Sequence, residues 1–345
     1  MPLFFRETLE FIEVSVRLGL ALGHTLIKPH SFAYPHTYAI IYVRKRNRNY
    51  NMRTSRSHQS IDSLINEALA IEDEDAREAG ALGFMARAMV QATLPHRKVE
   101  GTEFLRRNGK FTLSLLSPSN IGLPYGSIPR LLLAWLTSEA VRTKSRDLEL
   151  GDSMSAFMAE LGLSRQGGAR GDITRLKDQT RRLFGATVSA SYENKEKAVD
   201  IGYRLTDKSM LWWHPKDAEQ AGLWKSTVTL SEQFFHEVID RPIPIDVRAI
   251  KALKQSPMAL DIYCWLTYRV SYLKRPTVIP WAALAMQFGS NYSRLRDFKA
   301  AYLTELRKVV LVYPQAKTEG LDDGLLVKPS LTHILKKVAH DKGKQ

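Results

Sequence analysis

The sequence predicts a mainly α chain with small β-hairpins, an α+β fold in which one helix-rich unit is used twice. Trp-Leu-Thr occurs twice on apolar helical stretches, at Trp135 and Trp265, in a chain with only six tryptophans. Each copy has a serine start with proline close behind: Ser127 with Pro129, and Ser256 with Pro257. Each is followed by the same succession of a short extended piece, two helices and a β-branched hairpin.

Length and charge frame these units. At 345 residues the chain is long for one core and comfortable for two. Lysine and arginine number 50 against 36 acids, a net charge of +14, which points to a polyanionic partner. The single cysteine, Cys264, forms no internal disulfide and fits a reducing cytosol. Glu7, Glu10, Glu13 and Arg17 interrupt the apolar opening, and no window approaches the roughly 20 apolar residues that span a bilayer. A soluble, cytoplasmic protein with no membrane partner is expected.

Residues 1–58 are expected to be an extension, disordered or foreign to the rest, since charge and apolar residues there follow no sustained period. Two readings stand. Met52 is the natural start and residues 1–51 lie upstream of it, or Arg44, Lys45, Arg46 and Arg48 form a basic arm on DNA. Residues 59–115 are expected to be a helical leader and connector. Ile61, Leu64, Ile65, Ala68 and Leu69 have helical spacing, and helix is expected to continue through "GFMARAMVQATL". The acids Glu72, Asp73, Glu74 and Asp75 set this segment away from DNA. Pro118, Gly122, Pro124 and Gly126 mark a connector.

The first unit is expected over 116–215 and the second over 216–345. Serine accepts from the free amides of a helix's first turn, and proline is tolerated there because its missing N–H was orphaned anyway. Thirteen residues after each tryptophan comes an extended piece, at Leu148 and Val278. Second helices follow over Ser153–Leu163 and Trp281–Gly289, and third helices over Asp172–Phe184 and Ser293–Lys308. "ATVSASY" with "AVDIGYRL", and "VVLVYP" with "GLLVKPSL", are the expected hairpins. The succession is a helix-turn-helix with a hairpin appended, a winged helix, and the tryptophans are expected to be structural.

In such a unit the third helix enters the major groove. In the second unit Leu295, Phe298, Tyr302, Leu306 and Val309 form one apolar stripe and should face the core. Asn291, Ser293, Arg294 and Arg296 stand at the start of the helix, where bases are most easily reached, and arginine can take guanine O6 and N7 together. In the first unit Arg165, Arg170, Arg175, Lys177, Arg181 and Arg182 crowd one helix and its approach, and Lys195 and Lys197 occupy the hairpin turn. With Arg307 these are candidates for phosphate contacts. The same faces also fit a solvated basic surface or, in the first unit, a dimer interface.

Catalytic signals are weak. "GGARG" lacks the Gly-Lys-Ser/Thr of a P-loop, and His30 with His36 has no nearby acid or cysteine for a metal. No catalytic residue, metal or cofactor is expected, and the protein should bind rather than react.

"IGLPYGSIPRLLLAWLTSEAVRTKSRDLELGDSMSAFMAELGLSRQGG", followed by "GDITRLKDQTRRLF", resembles the RepA-type, TrfA-related plasmid replication initiators. The resemblance runs from Ile61 to His333 and is most specific between Ile121 and Phe184. It implies tandem winged helices that bind directly repeated double-stranded origin sequences (iterons) in a bacterial cytoplasm. It also implies origin opening by monomers, recruitment of the host initiator protein and replicative helicase, repressive self-association into dimers, and autoregulated copy number. The second unit would be the main iteron reader, and the first would add backbone contacts and the dimer surface. A winged-helix transcriptional regulator and a nicking endonuclease initiator are the alternatives.

Overall fold

A computed structural model describes residues 55–335, apart from 152, 166, 169–170, 194–197, 212–225 and 290–291. Residues 1–54, which hold the extension and Met52, lie outside the described residues, as does the tail from 336. The chain forms a mixed α/β fold of helices and four small antiparallel sheets.

The leader is helical only at first. Helix α1 (Ser55–Asp73) buries Leu64, Ile65, Ala68 and Ile71. The expected continuation is replaced by strand β1 (Leu82–Met85), a short helix α2 (Arg87–Gln91) and a hairpin, β2 (Glu103–Asn108) with β3 (Phe111–Leu116). Gly83 explains why β1 is a strand. A Cβ there would meet the Val247 and Ser138 side chains at 2.6 and 2.9 Å, so only glycine lets the backbone lie so close. The Phe84 amide then donates to Ser138 Oγ at 2.8 Å, and β1 pairs with β9 (Ile243–Asp246).

The two Trp-Leu-Thr helices are α3 (Ser127–Thr143) and α8 (Pro257–Tyr272). Ser256 caps α8 as expected, accepting from the Ala259 amide at 3.2 Å with Pro257 in the first turn. In α3 the cap is Gly126, and Ser127 is already helical. Each tryptophan meets a phenylalanine of the unit's second helix edge to face. Trp135 lies 5.0 Å from Phe157 in α4 (Met154–Glu160), and Trp265 lies 5.7 Å from Phe288 in α9 (Trp281–Phe288). Such pairs stabilise by about 0.5–1.5 kcal/mol beyond the area they bury. The tryptophans are structural.

Behind these helices run β4 (Asp147–Glu149) and β10 (Thr277–Pro280), then the third helices α5 (Asp172–Gly185) and α10 (Leu295–Val312). In the second unit the hairpin β11 (Thr318–Gly320) and β12 (Gly324–Val327) pairs with β10 in the order β10–β12–β11. "VVLVYP" is not its first strand. Val309 and Val312 extend the buried stripe of Phe298, Tyr302 and Leu306, and core packing on that face outweighs their β propensity.

The first unit differs more. The hairpin after α5, β5 (Thr187–Glu193) with β6 (Ala198–Arg204), forms as expected but joins the earlier hairpin in the sheet β2–β3–β5–β6. The counterpart of β11–β12 comes later, as β7 (Thr206–Met210) and β8 (Thr227–Leu230). They stand in the order β4–β8–β7, the same order as in the second unit. That sheet draws residues from both sides of the boundary expected at 215 and 216.

Helices α6 (Glu232–Asp240) and α7 (Val247–Leu253) flank β9 and lead into the second unit. One continuous apolar core runs through both units instead of two. At its centre, near-equivalent positions of α3 and α8 hold opposite charges. Arg130 donates from Nε to Asp261 Oδ1 at 2.7 Å and from Nη2 to Oδ2 at 2.6 Å. Its remaining donors reach the carbonyls of Leu94, Pro95 and Gly126, and His96 Nε2 lies 2.7 Å from Asp261 Oδ2. Burial alone would raise the Asp261 carboxyl, but the Arg130 charge and the bonds from His96 and Arg130 hold it below its usual value. Cys264, one turn further along α8, is buried, which raises its thiol above the usual range.

Candidate nucleic-acid interface

Helix α10 separates its faces as its stripe requires. Phe298, Tyr302, Leu306 and Val309 are buried, while Arg296, Ala300, Thr304 and Arg307 are open to solvent. Leu295, expected in the stripe, is instead 48% exposed and lies at the wall of a groove beside β2 and α9. Ser293 and Arg294 are exposed just ahead of it, and Asn291 lies outside the described residues. Arg294 Nε pairs with Asp297 Oδ2 at 2.7 Å, and Arg296 Nε lies 3.5 Å from Oδ1 of the same carboxylate. Exposed pairs of this kind contribute only about 0–1 kcal/mol, so both guanidiniums are cheaply released to a better acceptor.

The hairpin beside α10 has an acidic end. Glu319, Asp322 and Asp323 are exposed there, and Lys299 in α10 donates to the Asp322 carbonyl at 3.3 Å while lying over the Trp281 ring. Helix α1 packs against α10 and α7. Arg248 closes the end of α1, donating to the Ala70 and Glu74 carbonyls at 3.3 and 2.8 Å, where a cation suits the helix dipole. Asp246 holds the other edge of that guanidinium at 2.7 Å.

In the first unit the basic residues of α5 are sorted into distinct surroundings. Lys177 and Arg181 line a groove of about 600 Å³ between α5 and the strands β6 and β7. Across it stand Arg204 and Lys208, with Asp178 and Asp207 completing the walls. Burial lowers the Lys177 ammonium pKa. Arg175 is exposed and pairs with Asp172 at 3.1 Å, and Arg165 is exposed on the approach to α5. Arg182 is turned inward. It holds Asp178 through Nε at 2.8 Å, lies over the Tyr125 ring and donates to the Leu123 carbonyl at 3.4 Å. Arg170, Lys195 and Lys197 lie outside the described residues.

Sequence alone did not single out Arg204 and Lys208. They face α5 because β6 and β7 run back past it, a proximity with no signature in the linear pattern. Among the described residues, no helix is long and apolar enough to cross a membrane.

Comparison with known proteins finds one family model that matches part of the chain. Residues 123–282 match the model of the plasmid-encoded RepA protein family. The matched segment, a little under half of the chain, is similar to that family. The matched region starts in the connector before α3 and ends in α9, so it holds most of the first unit and stops short of α10. No curated protein matches the chain. Among solved structures, a selenomethionine crystal structure of domains 2 and 3 of RctB is similar, with a TM-score of 0.47 and 11% identity over 70% of this chain and 97% of that one. A second structure of RctB domains 2–3 gives a TM-score of 0.44 and 12% identity over 70% and 94%.

Proposed function

We propose that the two repeated units are winged helices and that the protein initiates plasmid replication by binding directly repeated double-stranded origin sequences. Helix α10 reads bases in the major groove: Arg294 and Arg296 take guanine edges, with Ser293 and Asn291 beside them. The α5 groove holds backbone phosphates through Lys177, Arg181, Arg204 and Lys208, and Arg165, Arg170, Arg175, Lys195, Lys197 and Arg307 supply further charge. Arg182 holds the connector instead of a phosphate.

The observation that carries this reading is the open first turn of α10. Its arginines are exposed and weakly held, while the opposite face of the same helix is buried by the core. The excess of positive charge favours approach to a polyanion. Binding of the repeats then opens the origin and brings in the host initiator protein and replicative helicase, and a monomer–dimer equilibrium limits copy number. The protein acts in the bacterial cytoplasm by binding, with no bond chemistry, metal or cofactor of its own.

The test is a titration of the full chain against a duplex from its plasmid's own origin and a shuffled duplex of equal length, at one fixed salt concentration. Origin DNA should bind more tightly by a factor of roughly 10³ or more, as specific recognition does. Equal affinity for both would refute the proposal.

A further inference from the structure

Between β2 and the outer faces of α9 and α10 lies a groove of about 550 Å³, whose walls include Leu105, Arg106, Met286 and Leu295. Leu105, Met286 and Leu295 are each about half exposed around it. Single apolar side chains on a surface mean little, but several around one groove mark a contact site.

Arg106 gives the groove its chemistry. It is only 5% exposed and lies over the Phe104 ring at 4.8 Å. It donates one long bond, from Nη1 to the Met286 carbonyl at 3.4 Å, while its Nε and Nη2 have no partner. Asp261 is the carboxylate whose charge it feels, but both Asp261 oxygens are already taken by Arg130 and His96. Two buried guanidiniums thus stand within the influence of one carboxylate, and Arg130 holds it. Burial pulls the Arg106 pKa down to about 10, which still leaves it charged at neutral pH. An unpaired buried cation is costly, and an apolar side chain of similar length would fill the same space without that cost. The unpartnered atoms, Nε and Nη2, form the same fork that Arg130 uses to hold Asp261, and a carboxylate is its natural complement.

We propose that this groove docks a segment of a partner protein in which large apolar side chains flank an aspartate or glutamate. The apolar side chains lie over Leu105, Met286 and Leu295 and part them, and the carboxylate follows to the Arg106 fork, which is closed to water in the free chain. Docking does not depend on the DNA-binding proposal. Because Arg294 belongs to both surfaces, however, a docked segment and a DNA duplex would compete for the first turn of α10.

The experiment uses the full chain and a fluorescein-labelled peptide amide, Leu-Asp-Leu-Asp-Leu, followed by anisotropy at about 150 mM salt to screen long-range attraction. The controls are Leu-Asn-Leu-Asn-Leu, which lacks charge, and Gly-Asp-Gly-Asp-Gly, which lacks apolar side chains. Saturable binding of the first peptide, roughly tenfold tighter than either control, is expected. Arg106→Met should abolish that preference while leaving the melting temperature unchanged or higher. Met286→Glu, at the exposed rim, should weaken binding without touching the core. If the glycine–aspartate peptide binds equally well, the attraction is only the chain's general charge and the proposal fails. Unchanged binding in either variant also overturns it, and Met286→Glu decides alone if Arg106→Met does not fold.

Discussion

The two units share a strand order and a tryptophan pairing, yet their surfaces are built for different contacts. In the first, the third helix faces a basic groove made with strands β6 and β7. In the second, the hairpin next to the third helix ends in Glu319, Asp322 and Asp323. Two of those carboxylates are paired, Glu319 with Lys328 at 3.3 Å and Asp322 with Lys299 at 3.8 Å, so the second hairpin lacks the surplus of cations that lines the groove of the first unit. One architecture thus carries two different surfaces, because fold is set by buried residues and contact by exposed ones.

The sharpest way to break the pairing of units is to break what joins them. Asp261→Asn leaves Arg130 buried without its counter-charge and should cost about 3–5 kcal/mol, read as a fall in the urea midpoint at unchanged slope. A midpoint within error of the parent would mean that Arg130 and Asp261 do not hold the units together.

The difference between the units is sharpened by charge reversal. Arg296→Glu should cost roughly 1–3 kcal/mol in origin binding, while Lys344→Glu in the tail should cost little. Equal small losses in titration would remove α10 from the role of reader. In the first unit, Arg181→Ala and Lys208→Ala should weaken all DNA alike and flatten the log–log salt dependence by about 0.9 for each phosphate no longer neutralised. Arg182→Ala should leave that slope unchanged and lower the melting temperature instead, since Arg182 braces the connector. A slope that moves with Arg182 and not with Arg181 would reverse the assignment.

Acid should loosen the packing of the segment around His333 on the second unit. His333 stacks on Tyr313 at 4.7 Å and shares a 2.7 Å hydrogen bond with the Tyr263 hydroxyl, and burial lowers its pKa to about 4. A base with a depressed folded pKa contributes stability in full above its unfolded value, near 6.5, and loses it as pH falls towards 4. Melting curves should show that loss across pH 6.5 to 4, and His333→Gln should shrink it. The smallest effect is expected from starting the chain at Met52. Helix α1 begins at Ser55, so melting temperature and discrimination between origin and random DNA should both survive. A large drop in either would make residues 1–51 part of the working protein.

Local signals explain what the sequence made visible. Caps such as Ser256 and stripes such as Phe298, Tyr302 and Leu306 depend on neighbours within a turn or two, and the order of helices follows from them. Strand partners do not. The strongest β pattern after α5 reads as the appended hairpin, but β4 finds its mate in Thr227–Leu230, far along the chain. The exposed arginines of α10 are visible as the complement of a stripe. The inward turn of Arg182 depends on Tyr125 and Leu123, and the orphaned fork of Arg106 is visible only once its burial beside α9 is known.

The late arrival of β8 and β9 also bears on how the chain comes off the ribosome. Strand β4 has no partner until residues near Thr229 have emerged, and β1 waits for Ile243–Asp246. Helix α1 waits longer still, until α10 exists to receive its apolar face. Closing such long loops before any pairing rewards them is slow. Nascent chains therefore spend much of synthesis with apolar edges uncovered, and cleavage ahead of residue 227 would leave a fragment that cannot complete even its first unit.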